Sequence, residues 1–548
     1  MVEEDDRKDK EVQFELRNRK KIVDKVHKIV PNNLSPNIKK TFVEYCESST
    51  IQGLNYLVKD SSGFEKSWWC ITVGLCIFGC IYMSYGNYVN WREKPILVSL
   101  ATKDMGIWEI PFPATTICPE TKILTDCINY TQAMKDWKNG TSLDNQTKQF
   151  FEYMSLTCLP SNYENLSAGP EYFDEDYFNF LYQCRAVDLS ISYCKWMGRT
   201  YDCDKLLKPI MTDEGLCYNF NMFDVNDIYA DDVVKHEWDV DREVTYAWNA
   251  EDGYDRDYFL NGTPKRSVEP GAKNALMVAL FTNKVDLISS CRDYSNQGMR
   301  VSLHMPNRIP RSSQVFFHVG LESLVSASIL PSMSYTSSDV RDFSPQVRNC
   351  YFPSERKLRF FKQYSQNNCN VECTTNFTID FCQCAAYYMP RDNSTPVCGL
   401  ANVECVEYAS FFLSHQDADE DIESVLDDCD CRPLCVDINY DVEISDDDWH
   451  WYEQVMVQED DETTLKALEN YTVSAVRIFF RESYFLPKQR RELFETSDLI
   501  SNFGGILGLF TGFSLFSLAE IIYFIAKPLI QSFQKKKEAT DEPEDIEA

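Results

Sequence analysis

The sequence has no G-x-S-x-G elbow, no G-x-x-x-x-G-K-[ST] phosphate loop and no G-x-G-x-x-G turn. The local signatures of serine hydrolases, P-loop nucleotidases and dinucleotide enzymes are therefore missing. Histidine is scarce: His27, His236, His304, His318, His415 and His450 are scattered and form no H-E-x-x-H. No C-x-x-C pair occurs, which argues against a zinc ribbon. Carboxylate pairs abound, but 85 Asp and Glu make such pairs by chance. These absences predict no enzyme, no catalytic residue, no metal and no cofactor. Positive charge is also short, with 54 Lys and Arg giving a net charge of −31. Such a chain repels phosphate backbones, so nucleic acid is not an expected partner.

Two long apolar runs lie near opposite ends. Trp68 to Val89 contains no Lys, Arg, Asp or Glu, and a span of the hydrocarbon needs roughly 20 apolar residues. More than sixty residues, many of them charged, precede it and no small-residue cleavage site follows, unlike a signal peptide. The second run is bounded by Asp498 and Lys527, with Glu520 its only charge. At ~1.5 Å per residue it exceeds a ~30 Å hydrocarbon core, so tilt or a break is expected. Lys39, Lys40, Lys59 and Lys66 precede the first run, while Lys527 and Lys535 to Lys537 follow the second. That bias predicts a multi-pass plasma-membrane protein with both termini cytoplasmic. The expected division is a cytoplasmic segment 1–67, a membrane helix 68–90, an extracellular domain 91–497, a second membrane helix 498–526 and a cytoplasmic tail 527–548, with Gln534 to Ala548 disordered.

The middle of the chain reads as extracellular. Glycosylation sequons begin at Asn129, Asn139, Asn145, Asn165, Asn261, Asn376, Asn393 and Asn470, all between the runs. Asn33 begins another, in a tail that should leave it unused. Of 22 cysteines, Cys46, Cys70, Cys76 and Cys80 lie in or before the first run and 18 lie between Cys118 and Cys435, an even number suited to full pairing. Residues 91–519 carry roughly −29 of the charge. Within this region Val301 to Met305 and Ser313 to Val319 read as strands. Lys357 to Tyr364 and Ala401 to Leu413 read as helical. The acidic stretches Asp417 to Asp430 and Asp437 to Glu462 read as solvated loops rather than a specific cation site.

Cys350, Cys369, Cys373, Cys382 and Cys384 are followed by Cys398, Cys405, Cys429, Cys431 and Cys435, so that C-x3-C and C-x-C return as C-x-C and C-x3-C. This near-mirror order suits two antiparallel segments joined by nested rungs, although spacing alone leaves the pairing open. In the second run Gly504, Gly508, Gly512, Phe516 and Glu520 recur every four residues, with Ser501, Gly505, Thr511 and Ser514 close by. On one helix much of this set shares a face. Small residues let helices pack closely, but an ionisable residue in a span usually faces a bundle interior or water. Carboxylates ringed below small polar residues would favour cations.

Several motifs together resemble one family. Phe112-Pro113-Ala114-Thr115-Thr116-Ile117-Cys118, Gly215 through Asn221 (GLCYNFN), Tyr364 through Cys384 followed by Met389-Pro390-Arg391, Cys429-Asp430-Cys431-Arg432-Pro433-Leu434-Cys435, and Gly504 through Ser514 (GGILGLFTGFS) followed by Glu520 occur in one order. This set is similar to the degenerin/epithelial sodium channels, most closely their insect pickpocket branch, from Thr50 to Phe524. The resemblance implies a trimeric, sodium-preferring, commonly amiloride-blocked channel, homomeric or heteromeric with related subunits, whose permeant ion is Na+. It implies two transmembrane helices and a disulfide-rich α+β extracellular domain with a palm sheet, a β-ball and helical finger, thumb and knuckle. It implies the bridges Cys118–Cys217, Cys350–Cys435, Cys369–Cys431, Cys373–Cys429, Cys382–Cys405 and Cys384–Cys398, leaving Cys127, Cys158, Cys184, Cys194, Cys203 and Cys291 unassigned. By the same carry-over Gly512-Phe513-Ser514 forms the selectivity filter. Ser501 takes the degenerin gating position, Gly508 the amiloride position, and Gln52-Gly53 stands for the family's cytoplasmic His-Gly gating pair. Gln52 and Phe513 depart from the family pattern, the latter where many vertebrate members have Ala or Ser. The stimulus, whether a ligand, an ion or force, is open, and a sensory role is expected. The alternatives are a non-conducting two-span receptor or adhesion protein, which needs neither Glu520 nor the small-residue face, and an ATP-gated channel, which needs a basic cluster that the acidic loop lacks.

Overall fold

The computed structural model describes residues 36–58, 62–93, 96–158, 169–236, 238, 248–254, 264–287, 291, 296–414, 429–458, 462–493 and 496–538. Asn33, Asn165, Asn261, His27, His415, the acidic run 417–428 and the tail 539–548 lie outside the described residues. The chain divides into two compact units, one of residues 98–491 and one joining residues up to 97 with those from 492 onward.

The larger unit is built on two sheets. Its strands are β1 (Ile96–Leu100), β2 (Ala114–Pro119), β3 (Tyr193–Trp196), β4 (Arg199–Tyr201), β5 (Lys208–Thr212), β6 (Gly215–Phe220), β7 (Leu276–Asn283), β8 (Met299–His304), β9 (Phe317–Val319), β10 (Ser323–Thr336), β11 (Asp437–Asp448), β12 (Tyr471–Phe480) and β13 (Lys488–Glu492). The mixed sheet runs β1–β13–β10–β12–β7–β3–β4 with β11 also on β10, and the second runs β9–β8–β2–β6–β5. In β10 the apolar Val325, Ala327, Ile329 and Met333 are buried while the intervening serines are half-buried, the period of two that a one-sided strand requires. Phe112, fully buried just before β2, meets Trp196 of β3, Phe220 of β6 and Phe480 of β12 edge-on at 4.7, 6.1 and 5.4 Å. One ring of the F-P-A-T-T-I-C motif thus joins both sheets in one core.

Helices flank the sheets. Tyr130–Lys138, Asn145–Thr157 and Asp176–Gln183 enclose an aromatic cluster of Tyr130, Phe151, Tyr153, Tyr177 and Phe178. Asn129 and Asp144 cap the first two by accepting from Gln132 N and Thr147 N. A 17-residue helix, Gln366–Cys382, is capped by Ser365 and packs against the returning helix Val403–Ser414. A mixed sheet, a smaller sheet and disulfide-linked peripheral helices are the kind of α+β domain that the resemblance implies.

Three expectations for this unit are corrected. Of Ser313 to Val319 only Phe317–Val319 is strand, because Ser313 N and Oγ are held by the Asp213 carboxylate. Lys357 to Tyr364 is not helical: Glu372 accepts from Arg359 N (3.0 Å) and Phe360 N (2.8 Å), and Phe361 bridges to Tyr229. Within Asp437 to Glu462 the described residues are no loop but the twelve-residue strand β11 followed by the helix Trp451–Gln458.

The smaller unit is helical. Its first long helix, Gly63–Glu93, extends beyond the expected 68–90, and its apolar stretch is only 6% buried, with Trp68, Leu75, Phe78, Ile81 and Tyr82 all exposed. A soluble core helix buries such residues, so this exposure fits a lipid-facing span. The second apolar run forms two helices, Thr496–Thr511 and Leu515–Glu538, and the latter includes the tail residues Gln534–Glu538 that were expected to be disordered. The helix Pro36–Ser48 lies against Leu515–Glu538, where the Lys527 ammonium meets the Glu44 carboxylate at 2.7 Å and Tyr45 meets Phe524 edge-on.

Candidate functional site at a broken membrane helix

The two halves of the second apolar run meet at an angle of 76°, and Gly512-Phe513-Ser514 is the break. Gly512 has φ +68°, a left-handed conformation that glycine adopts without steric cost and that commonly ends a helix. Its N–H still donates to Gly508 O at 2.9 Å. Ser514 begins the lower helix: its carbonyl accepts from Leu518 N at 3.2 Å, and its hydroxyl lies 3.4 Å from both Ser517 N and Ser517 Oγ. Ser514 is exposed and Phe513 is half-buried. The helix Thr496–Thr511 ends at this break, and a helix C-terminus carries partial negative charge.

This geometry corrects one expectation. The row Gly504, Gly508, Gly512, Phe516, Glu520 does not form one helical face, because the helix turns at Gly512. Ser501, Gly504, Gly505 and Gly508 stay together on the upper half. A Cβ built at Gly504 or Gly505 meets nothing within 4 Å, so this part of the face is unpartnered among the described residues. The opposite side packs on the first membrane helix, where Gly79 leaves room for Phe510: a Cβ at Gly79 would stand 2.7 Å from the Phe510 ring. The Ser501 hydroxyl donates back to Ser497 O at 2.8 Å.

The residues that brace the break come from the other end of the chain. Gln52 N donates to Thr511 O at 2.9 Å, closing one of the carbonyls that the upper helix leaves free. A Cβ on Gly512 would lie 2.9 Å from Gln52 Cγ, and one on Gly53, which has φ +94°, would lie 2.7 Å from Val73 Cγ2. Thr50 donates to the Glu520 carboxylate from N at 3.0 Å and from Oγ1 at 3.1 Å, and its hydroxyl also meets the fully buried Ser517 Oγ at 2.7 Å. Glu520 is therefore half-buried and hydrogen-bonded to Thr50 rather than a free carboxylate. The sequence reading singled out Gln52, Gly53 and Glu520 but missed Thr50 and Ser517, whose only sequence signal is their proximity to those residues.

The six bridges that the resemblance implies are all closed: Cys118–Cys217, Cys350–Cys435, Cys369–Cys431, Cys373–Cys429, Cys382–Cys405 and Cys384–Cys398. The unassigned six pair as Cys127–Cys184, Cys158–Cys291 and Cys194–Cys203. Cys46, Cys70, Cys76 and Cys80 are free thiols. Asn129, Asn139, Asn145, Asn393 and Asn470 are exposed, whereas Asn376 sits half-buried within the helix Gln366–Cys382. Among the described residues no cluster of His, Cys, Asp or Glu could hold a metal ion.

A family model described as "Amiloride-sensitive sodium channel" matches residues 45–524. Pickpocket protein 28 of Drosophila melanogaster is 27% identical to this chain over 89% of it and 78% of the relative. Sodium channel protein Nach of Drosophila ananassae is 23% identical over 92% and 90%, and acid-sensing ion channel 4-B of Danio rerio 22% over 90% and 78%. The family consists of membrane ion channels rather than enzymes. With its model covering both apolar runs and the whole cysteine framework between them, the chain belongs to the amiloride-sensitive sodium channel family, as a cation-channel subunit.

Proposed function

We propose that the chain is one subunit of a trimeric, sodium-preferring cation channel of the plasma membrane, with cytoplasmic termini, residues 91–497 outside the cell, and opening driven by an extracellular ligand, ion or force. The observation that carries this reading is the break at Gly512-Phe513-Ser514. A membrane helix keeps its backbone bonded unless irregular backbone is buried in protein or lines water, and here the irregularity coincides with the filter position. The unpartnered face of Ser501, Gly504 and Gly505 supports assembly with further copies or related subunits around a central path. Gly512 and Ser514 contribute carbonyl and hydroxyl oxygen to the constriction, Phe513 shapes it, and Glu520 adds charge on its cytoplasmic side. Ser501 and Gly508 line the upper path, and Gln52-Gly53 braces the break from below. Na+ is the permeant ion, and no cofactor takes part.

Substituting cations while recording reversal potentials tests this. Ser514→Ala should change sodium-to-potassium permeability, and Glu520→Gln should mainly lower conductance. Ser501→Val should give a standing inward current, because bulk on the small-residue face opposes closure. Channels that conduct with unchanged reversal potentials after every substitution at Gly512 and Ser514 would remove the filter assignment.

A further inference from the structure

The large unit contains a cavity of about 310 Å³, within the range of small-molecule sites. Strand β5, the segment 223–229, the segment 234–236 with Trp238, and Tyr387 to Pro390 wall it. Aromatic faces set its character. His236 lies on the Phe178 ring at a centroid distance of 3.8 Å and beside Trp238 at 5.8 Å. Burial holds its pKa down to about 4, so it is an uncharged ring at physiological pH. Tyr229 and Tyr387 supply further aromatic surface.

The charge of this cavity runs against the rest of its region. Lys208 and Lys235 both line it half-buried, and neither ammonium makes a hydrogen bond or ion pair among the described residues. Asp231, which Lys235 influences only weakly, is already paired with Lys362 at 2.6 Å. Among the described residues the one carboxylate in the wall, Asp224, is engaged by Asn226 N and Nδ2, each at 2.9 Å. Two ammonium groups with no partner among the described residues thus sit beside aromatic faces in a stretch of chain carrying roughly −29 charges. Half-burying an ammonium without a partner costs free energy, and a ligand carboxylate would supply that partner through charge-assisted hydrogen bonds.

We propose that this cavity is a binding site for a small organic anion, a carboxylate on an aromatic or apolar body, with Lys208 and Lys235 holding the carboxylate and His236, Trp238 and Tyr229 covering the body. The site stands independently of the ion pathway and of conduction. Full-length protein in phosphatidylcholine nanodiscs at pH 7.4 tests it with two fluorinated probes of matched shape and opposite charge, 4-fluorophenylacetate and 4-fluorophenethylamine, followed by fluorine NMR line broadening. The acid should broaden saturably and be displaced by excess phenylacetate, while the amine should not. Lys208→Gln with Lys235→Gln should weaken acid binding at least tenfold, and Lys208→Arg with Lys235→Arg should keep it. No saturable binding of the acid to the unaltered protein, equal binding of the amine through the aromatic walls, or undiminished acid binding in a folded glutamine variant would each overturn the proposal. The acid–amine comparison uses the unaltered protein and decides even where a variant does not fold.

Discussion

The two units hold their shape by different means. Residues 98–491 combine buried aromatic rings, two sheets and nine disulfides. The helical unit has no disulfide among its described residues, four free thiols, and a junction built from two left-handed glycines and a few hydrogen bonds to Thr50 and Gln52. Covalent rungs fix a frame that stands in an oxidising compartment, whereas single hydrogen bonds, each worth about 0.5–1.5 kcal/mol, leave the helix break within reach of small rearrangements. Rigidity and adjustability are thereby assigned to separate parts of one chain.

Breaking the frame should have the largest effect. Cys373→Ser or Cys429→Ser should each cost about 2–5 kcal/mol and sharply reduce surface delivery, and the double substitution should add little because the two share one bridge. Replacing Cys46, Cys70, Cys76 and Cys80 together by Ser should leave delivery near normal. Surface biotinylation measures both, and additive losses at Cys373 and Cys429 would contradict the pairing.

Acid should weaken the same frame. His304 in β8 is bonded at both ring nitrogens, to Thr116 Oγ1 and Met305 O, each at 2.9 Å. Burial lowers its pKa from 6.5 to about 4. The unfolded chain takes up the proton first as pH falls, so this contribution is intact above pH 6.5 and is lost progressively down to about 4. The loss is at most about 3 kcal/mol. Thermal unfolding of the full-length protein should therefore move to lower temperature between pH 7 and pH 5, and His304→Gln should flatten that slope. An unchanged slope would show that His304 is not held neutral.

In the helical unit the contrast lies between neighbouring glycines. Gly512→Ala should cost about 1–2 kcal/mol for its left-handed backbone, besides crowding Gln52, and should abolish or distort current. Gly504→Ala meets nothing among the described residues, so surface expression should be retained. Equal expression and equal current in both variants would argue that the break is not a constrained junction.

Much of this division is legible in the sequence. The length of the Asp498–Lys527 run demands tilt or a break, and the nested cysteine order suits the ladder that forms. The glycine row misleads because a period of four describes a face only while the helix continues, and Gly512 ends it. Strand β11 was hidden by its charge: Ile438, Tyr440, Val442 and Ile444 alternate with acidic or polar residues, yet counting carboxylates obscures the period of two. Lys357 to Tyr364 fails as a helix because Glu372, a residue of the following helix, takes its amides. Thr50 and Ser517 are 467 positions apart, so no local pattern announces their bond.

The nesting of the rungs also bears on how the protein is made. The bridges Cys384–Cys398 and Cys382–Cys405 close loops of 14 and 23 residues, while those to Cys429, Cys431 and Cys435 span 56, 62 and 85. The region after the first membrane helix enters the secretory lumen in chain order, so it presents both partners of the short loops while Cys350, Cys369 and Cys373 still wait for theirs. That order lets the ladder close from its innermost rung outward. A chain stopped before residue 429 would carry three orphan thiols, a mark by which the secretory pathway can tell an unfinished subunit from a complete one.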